Sequence, residues 1–226
     1  MKTANAVKSN PGTGRHVRED LFMLSIRKIV SDVLLQEIKN SSEIKAIAII
    51  SPFRNDGKSE ISEQLARVFA DQGSKTLVLN LQSIQYMGNY IIDPLKSSKL
   101  LEESIVKTDR KNVDYLLLEE IGKTCGFIFD KASLTNLINQ LKNKYKRIII
   151  DTISLEEDMS GFMAASIADG VYFICNNTGM RSRQPEMYYR KLKEIGASVL
   201  GIIYNNADMR TVKKIQQQKR ERHGWI

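Results

Sequence analysis

Residues Lys45–Ser59 read KAIAIISPFRNDGKS. The apolar run Ala46–Ile50 has the length of a short buried strand. Ser51–Gly57 follows as a tight irregular loop. Lys58 and Ser59 come next, and then a helical repeat with Ile61, Leu65, Val68 and Phe69 on one face. Strand, loop, Gly-Lys-Ser and helix, in that order, are the context a phosphate-binding loop requires. Backbone N–H groups at the helix start point at an anion, and the helix dipole adds a favourable field. A lysine so placed reaches the outer phosphates, and a serine hydroxyl can hold Mg²⁺. The strict pattern GxxxxGKS/T fails at its first position, which is Pro52. A bare Gly-Lys-Ser would also suit an ordinary βα turn with a solvated lysine, so the flanking strand and helix carry the assignment. Asn55 suits the phosphate reading, because asparagine tolerates left-handed backbone better than most non-glycine residues.

The chain around this stretch has 226 residues, room for one large α/β domain or two small ones. Hydrophobic residues make up 42%, enough for a sizeable core. No apolar run approaches about 18 residues, so no membrane-spanning helix is expected. The start, MKTANAVKSNPGTGRH, lacks the apolar segment of a secretory signal. Cys125 and Cys175 have no metal-ligand spacing and sit in or beside apolar runs, which suits reduced core residues of a cytosolic protein. The net charge of +8 suits an acidic partner, whether nucleotide, nucleic acid or anionic membrane, without choosing among them.

Upstream of the loop, residues 1–18 are polar with Gly and Pro and read as a flexible tail. Residues 19–39 read as a long helix on the spacing of Phe22, Ile26, Ile29 and Val33, with Leu21, Leu24 and Leu35 widening the apolar surface. That surface packs on a sheet or also meets a second copy or a partner. Downstream, Thr76–Leu81 reads as a second strand, with Gly73 stopping the preceding helix. Lys99–Val106 reads as a short helical segment and Val113–Leu118 as a third strand. Leu134, Leu137, Ile138 and Leu141 mark a helix capped by Asp130 or Ser133. Arg147–Asp151, Gly170–Cys175 and Ser198–Tyr204 are further strands. Tyr188, Leu192 and Ile195 mark a helix between the last two, ending at Gly196. Apolar strands alternating with helices predict a three-layer, doubly wound α/β fold with a mostly parallel sheet. Ligands of such sheets bind at the carboxyl ends of the strands, where the 51–59 loop and Asp151 both fall. The predicted organisation is a tail (1–18), one domain (19–206) and a basic tail (207–226).

Asp151 ends RIIID as a Walker B aspartate does, a carboxylate that orients Mg²⁺ directly or through water. From here the chain resembles the cytoplasmic kinase domain of bacterial tyrosine kinases of capsule and exopolysaccharide synthesis, the CpsD/CapB group. These sit within the wider P-loop ATPase class that includes MinD and ParA. The carriers of the resemblance are IAIISPFRNDGKS, ISEQLARVFADQGSKTLVLN, YKRIIIDTISL, ADGVYFICNN and LKEIGASVLGIIYN. The family reads TSxxPGEGKS, YDxVIIDTPPV, ADGVLLVV and LxxxGxxVLGVVLN at the corresponding places. The resemblance implies a P-loop NTPase fold with ATP and Mg²⁺ as cofactors. It also implies that Lys58 acts catalytically on the β/γ-phosphates, that Ser59 and Asp151 hold the metal, and that Asn55, Asp56 and Gly57 cradle phosphate through their backbone. Asn205 falls where relatives contact the base.

The departures are specific. The family's acidic motif IDAD is here LNLQ, with Asn80 and Gln82 in place of two aspartates that hold metal and activate the attacking hydroxyl. An amide can coordinate through oxygen but takes no proton at neutral pH. Glu60 stands where the family has a small hydroxyl residue, and it faces the phosphates or turns outward. The oligomer motif ExxRxxR survives only as Arg27, with Leu21 and Leu24 at its other places. No tyrosine lies beyond Tyr204, so the tyrosine cluster is missing. Three functions remain open. One is an ATP-dependent tyrosine kinase of the split type, activated by a transmembrane polysaccharide co-polymerase on a separate chain. Another is an inactive nucleotide-binding relative, a pseudokinase in polysaccharide assembly. The third is a MinD/ParA-like positioning ATPase. A cytoplasmic place follows, peripheral at the inner membrane face if Arg210, Lys213, Lys214, Lys219, Arg220 and Arg222 bind an anionic surface. Self-association is the remaining partner class, and nucleic acid is not expected.

Overall fold

The computed structural model describes residues 15–82, 98–117, 130–176 and 183–206. The first fourteen residues, Cys125 and the basic run after Asn206 lie outside them. The described elements are α1 (Arg15–Asn40), β1 (Ala46–Ile50), α2 (Lys58–Asp71), β2 (Thr76–Asn80), α3 (Ser98–Glu103), β3 (Ile105–Lys107) and β4 (Val113–Leu117). They continue with α4 (Lys131–Lys142), β5 (Arg147–Asp151), α5 (Ser160–Ile167), β6 (Gly170–Asn176), α6 (Gln184–Glu194) and β7 (Val199–Asn205). The strands form one seven-stranded sheet in the order β3-β4-β2-β5-β1-β6-β7. All pairings are parallel except β3 with β4. The doubly wound, mostly parallel arrangement expected from the strand–helix alternation is present.

The central strands are apolar throughout because both faces are covered. Successive residues alternate between two cores. Ala46, Ala48 and Ile50 of β1, with Leu77, Leu79, Ile148 and Ile150, face α4, α5 and α6 through Leu134, Leu137, Phe162, Tyr189 and Leu192. Ile47 and Ile49, with Val78, Ile149, Tyr172 and Ile174, face α1 and α2 through Ile26, Ile29, Val30, Val33, Ile61, Leu65 and Phe69. In α1 the expected stripe is right for Ile26, Ile29 and Val33, while Leu21, Leu24 and Leu35 are exposed. The helix also starts four residues before residue 19, at Arg15.

Two local expectations are corrected, and one helix is added. The helix expected over 99–106 ends at Glu103, and Ile105–Lys107 is a strand antiparallel to β4. Its two β-branched residues suit the open sheet edge better than a helix turn. In α6 the buried stripe is Pro185, Tyr189 and Leu192, whereas Tyr188 is half-buried and Ile195 is exposed. The true stripe keeps the expected spacing but shares only Leu192 with the expected one. The remaining omission is α5, whose short sequence SGFMAASI is too uniformly apolar to show a helical period. The cap of α4 is Asp130, which accepts the Ser133 N–H at 2.7 Å.

One buried ion pair anchors α1 to the amino edge of the sheet. Arg147 on β5 is 2% exposed, and its guanidinium donates to both carboxylate oxygens of Glu37 at 2.7 and 2.8 Å. It also donates to the Ile44 carbonyl at 3.0 Å and lies 5.0 Å from the centre of the Phe69 ring. Removing the carboxylate strands a buried cation, at a cost of about 3–5 kcal/mol. Glu37→Ala should therefore lower stability to urea by an amount in that range. Arg147→Met should cost less, because its stem still packs on Phe69 and Glu37 can turn to solvent. A larger loss for Arg147→Met would refute this ordering.

Candidate functional site

The loop after β1 is shaped by two left-handed residues, Asn55 (φ 58°) and Gly57 (φ 94°). Asparagine serves at the first. Only glycine serves at the second, where a Cβ would lie 2.1 Å from Asn205 Nδ2. Asn205 is 4% exposed at the end of β7 and donates Nδ2 to the Asp56 carbonyl at 2.9 Å. Asp56 folds back so that Oδ2 accepts the Phe53 N–H at 3.0 Å, while its Oδ1 is buried without a partner. From outside, the segment after β5 holds the loop. The Leu155 and Glu156 N–H groups donate to the carbonyls of Ser51 and Pro52, each at 3.0 Å. Glu156 accepts the Arg54 N–H at 2.9 Å, and Glu157 pairs with the Arg54 side chain. The chain leaves this loop straight into α2, whose first N–H groups have no partner within the helix.

Lys58 is 6% exposed and its ammonium donates to Ser51 Oγ at 2.9 Å. Burial pushes its pKa below the ordinary lysine value, partly countered by the charges of Asp151 and Asp56. Asp151 is 2% exposed at the carboxyl end of β5, and sheet register sets Asn80 beside it. Burial raises the Asp151 pKa, against bonds from Ser59 and Gln82. The Gln82 amide donates to Ser59 Oγ at 2.7 Å and to the two Asp151 oxygens at 3.3 and 3.2 Å. Asn80 Oδ1 accepts the Gln82 N–H at 2.7 Å and so fixes the turn that delivers this side chain. A pocket of about 520 Å³ opens here, lined by Asn55, Gly57, Lys58, Ser59, Glu60 and Gln82 among others.

Thus the structure brings Asn55, Gly57, Lys58, Ser59 and Glu60 to one pocket, with Glu60 exposed at its rim. Asp56, Asp151 and Asn205 support it from below. Sequence reasoning missed Arg54, Ile153, Ser154 and Glu157, which also line it. The acidic pair Glu156–Glu157, just beyond the carboxyl end of β5, was the available signal. The donor set fits a single Mg²⁺: a hydroxyl and a carboxylate converge beside the loop, as the shared contact with Gln82 shows. Among the described residues no group of three or more His, Cys, Asp and Glu could hold a metal by itself. No helix among them is long and apolar enough to cross a membrane.

Comparison with known proteins matches this geometry to a group of relatives. The chain is 25% identical over 186 residues to the succinoglycan biosynthesis transport protein ExoP of Rhizobium meliloti, covering 76% of this chain and 24% of ExoP. It is 24% identical over 188 residues to CapB of Staphylococcus aureus, covering 79% of this chain and 82% of CapB. It is 26% identical over 186 residues to the tyrosine-protein kinase CpsD of Streptococcus agalactiae, covering 75% and 78%. These relatives are thus a tyrosine-protein kinase, CpsD, a protein described as a putative tyrosine-protein kinase, CapB, and a succinoglycan biosynthesis transport protein, ExoP. The chain therefore spans about a quarter of ExoP and about four-fifths of CapB. No family model matches it. The chimerical protein CapA2B2 has the same fold, with a TM-score of 0.67 at 19% identity over 92% of this chain and 95% of that one. So does MinD of Pyrococcus horikoshii, solved with Mg-ADP, with a TM-score of 0.53 at 22% identity over 71% and 70%. The chain is thus related to bacterial tyrosine kinases of capsule and exopolysaccharide biosynthesis.

The buried Asp56 carboxyl has a measurable signature. Burial raises its pKa to about 6, while the Phe53 N–H and the Lys58 charge pull the other way. An acid with a higher pKa folded than unfolded holds its proton more tightly in the folded state. Its ionisation is then a penalty, absent below its unfolded value of 3.8 and complete above about 6. At about 1.4 kcal/mol per pH unit, the penalty amounts to roughly 3 kcal/mol. Going from about pH 3 to about pH 7 should cost the wild type about that much more stability than it costs Asp56→Asn. Urea unfolding of both proteins at the two pH values checks it, and identical pH responses would exclude a buried Asp56 charge.

Proposed function

We propose that this chain is an ATP-binding, tyrosine-kinase-like protein of capsule or exopolysaccharide biosynthesis whose catalytic set is weakened. The observation that carries the reading is the convergence of Lys58, Ser59 and Asp151 at the mouth of one buried loop. In this reading the N–H groups of Asn55, Asp56 and Gly57 cradle phosphate, and Lys58 turns from Ser51 to the outer phosphates. Glu60 stands at the pocket rim, and the base lies over the end of β7, beside Asn205. Mg²⁺ bound by Ser59 and Asp151 would neutralise charge between the outer phosphates.

The weakened chemistry follows from β2. Asn80 spends its side-chain oxygen on the Gln82 N–H, and Gln82 offers an amide where a carboxylate would accept a proton. A missing general base costs about 10²–10⁴ in rate. The same bonds favour a second reading, an inactive nucleotide-binding relative that acts through its surface. A transmembrane co-polymerase-type activator on a separate chain is the proposed partner. Leu21, Leu24, Leu35 and Ile38, exposed on α1, supply an apolar face for it or for a second copy. The proposed location is cytoplasmic, at the inner membrane face if the basic run after Asn206 binds anionic lipid.

Calorimetry with ATP and Mg²⁺ tests the site. Lys58→Ala removes a charge-assisted contact worth about 1.5–3 kcal/mol and should weaken binding on the order of 10- to 100-fold. Equal affinities would end the phosphate-loop reading. A phosphotyrosine assay separates the two functional readings. Asn80→Asp with Gln82→Asp should raise a weak wild-type turnover, whereas silence in both proteins favours the inactive relative.

A further inference from the structure

The Gln82 side chain stands where a divalent cation would bind. Its Nε2 lies 2.7 Å from Ser59 Oγ and 3.2–3.3 Å from both oxygens of Asp151. A Mg²⁺ ion sits about 2.0–2.1 Å from its oxygen ligands. An ion within that distance of Ser59 Oγ on the Asp151 side would overlap the amide nitrogen, and the N–H hydrogens point at the same oxygens the ion needs. The position is held from two directions. The Asn80 side chain fixes the Gln82 backbone at 2.7 Å, and the Leu81 N–H donates to the Asp151 carbonyl at 2.8 Å, which locks β2 to the end of β5. The carboxamide presents partial positive hydrogens to both oxygens of Asp151. It thus supplies in neutral form part of what the cation would supply. Lys58 remains as a full positive charge beside the pair, and Arg54 as another at the pocket.

Resting on the nucleotide reading above, we propose that Gln82 is a specificity-determining residue that substitutes for the divalent cation. The loop then takes the phosphates of a nucleoside diphosphate with or without Mg²⁺, and the cation enters only when the amide swings out. In a site without the amide, Mg²⁺ and nucleotide bind with strong mutual support, because the ion bridges protein oxygens and phosphate. With the amide in place, the ion must first break three hydrogen bonds, so that support is largely lost.

The test is titration calorimetry of ADP against the full chain, with Mg²⁺ and with EDTA, for wild type, Gln82→Ala and Gln82→Asp. The expected result is a wild-type affinity that changes less than about threefold between the two buffers. Gln82→Ala and Gln82→Asp should each gain on the order of 10-fold or more from Mg²⁺. Electron spin resonance of Mn²⁺ with ADP present gives a second readout, with bound Mn²⁺ in both variants at concentrations where the wild type shows little. If all three proteins bind ADP with the same Mg²⁺ response, or if the wild type binds Mn²⁺ as well as the variants do, the cation-substitute role is overturned while the nucleotide site stands. If none of them binds ADP in either buffer, the nucleotide reading falls, and this proposal with it.

Discussion

The carboxyl edge of this sheet is organised by the need to bury three ionisable groups together. Lys58, Asp56 and Asp151 are 6%, 0% and 2% exposed. A single buried charge is too costly to persist, whereas a cation facing two carboxylates is tolerated if hydrogen bonds complete the set. Ser51 supplies the lysine's bond, the Phe53 N–H supplies one for Asp56, and Gln82 with Ser59 supplies those of Asp151. These bonds leave little freedom for the loop. Its path from Ser51 to Gly57 is the one that lets all three groups be satisfied, except for Asp56 Oδ1. In the proposed nucleotide site, an arriving phosphate would meet a lysine already held largely out of water, so little further desolvation would oppose binding.

That arrangement depends on long-range contacts at every point. The loop is braced below by Asn205, which ends the last described strand, and on its outer side by the turn after β5. Asp151 reaches it because β5 lies directly between β1 and β2 in the sheet. Gln82 reaches Asp151 because β2 pairs with β5 in the register that sets Asn80 opposite Asp151. The opposite, amino edge is fastened separately by Arg147 and Glu37, which tie α1 to the sheet next to Phe69 of α2. The two ends thus use the same physics differently. At the amino edge a buried pair meets in bidentate geometry. At the carboxyl edge the charges face a cavity.

Where the sequence was legible, one physical signal dominated each stretch. β1, β5, β6 and β7 are apolar runs of strand length, and α2 and α4 show clean apolar spacing with ordinary stops and caps. Where two signals competed, local reading failed. Ile105 and Val106 follow a helical segment closely enough to be absorbed into it, yet an unpaired edge beside β4 recruits them as a strand. In α6, Tyr188, Tyr189, Leu192 and Ile195 allow two stripes of the same spacing, and only contact with Phe173 and the core selects the one through Tyr189. In α5 no polar face exists to reveal a period, because the helix is short and mostly buried.

The sequence by itself determined the fold class and the place of the loop between β1 and α2, and it singled out Lys58, Ser59 and Asp151, which the fold then brings together. These are local properties: period, turn residues and a short motif between a strand and a helix. The resemblance to the CpsD/CapB group also set Asn80 and Gln82 where that group has aspartates. Only the tertiary structure decided what Gln82 does there, because its partners Ser59 and Asp151 lie 23 and 69 residues away along the chain. It likewise decided that Asn205 holds the loop backbone, that Gly57 can be nothing but glycine, and that Asp56 is buried. Each of these rests on an atom brought from a distant strand to within hydrogen-bonding or contact distance, and sheet order and register, not local sequence, set which atoms meet.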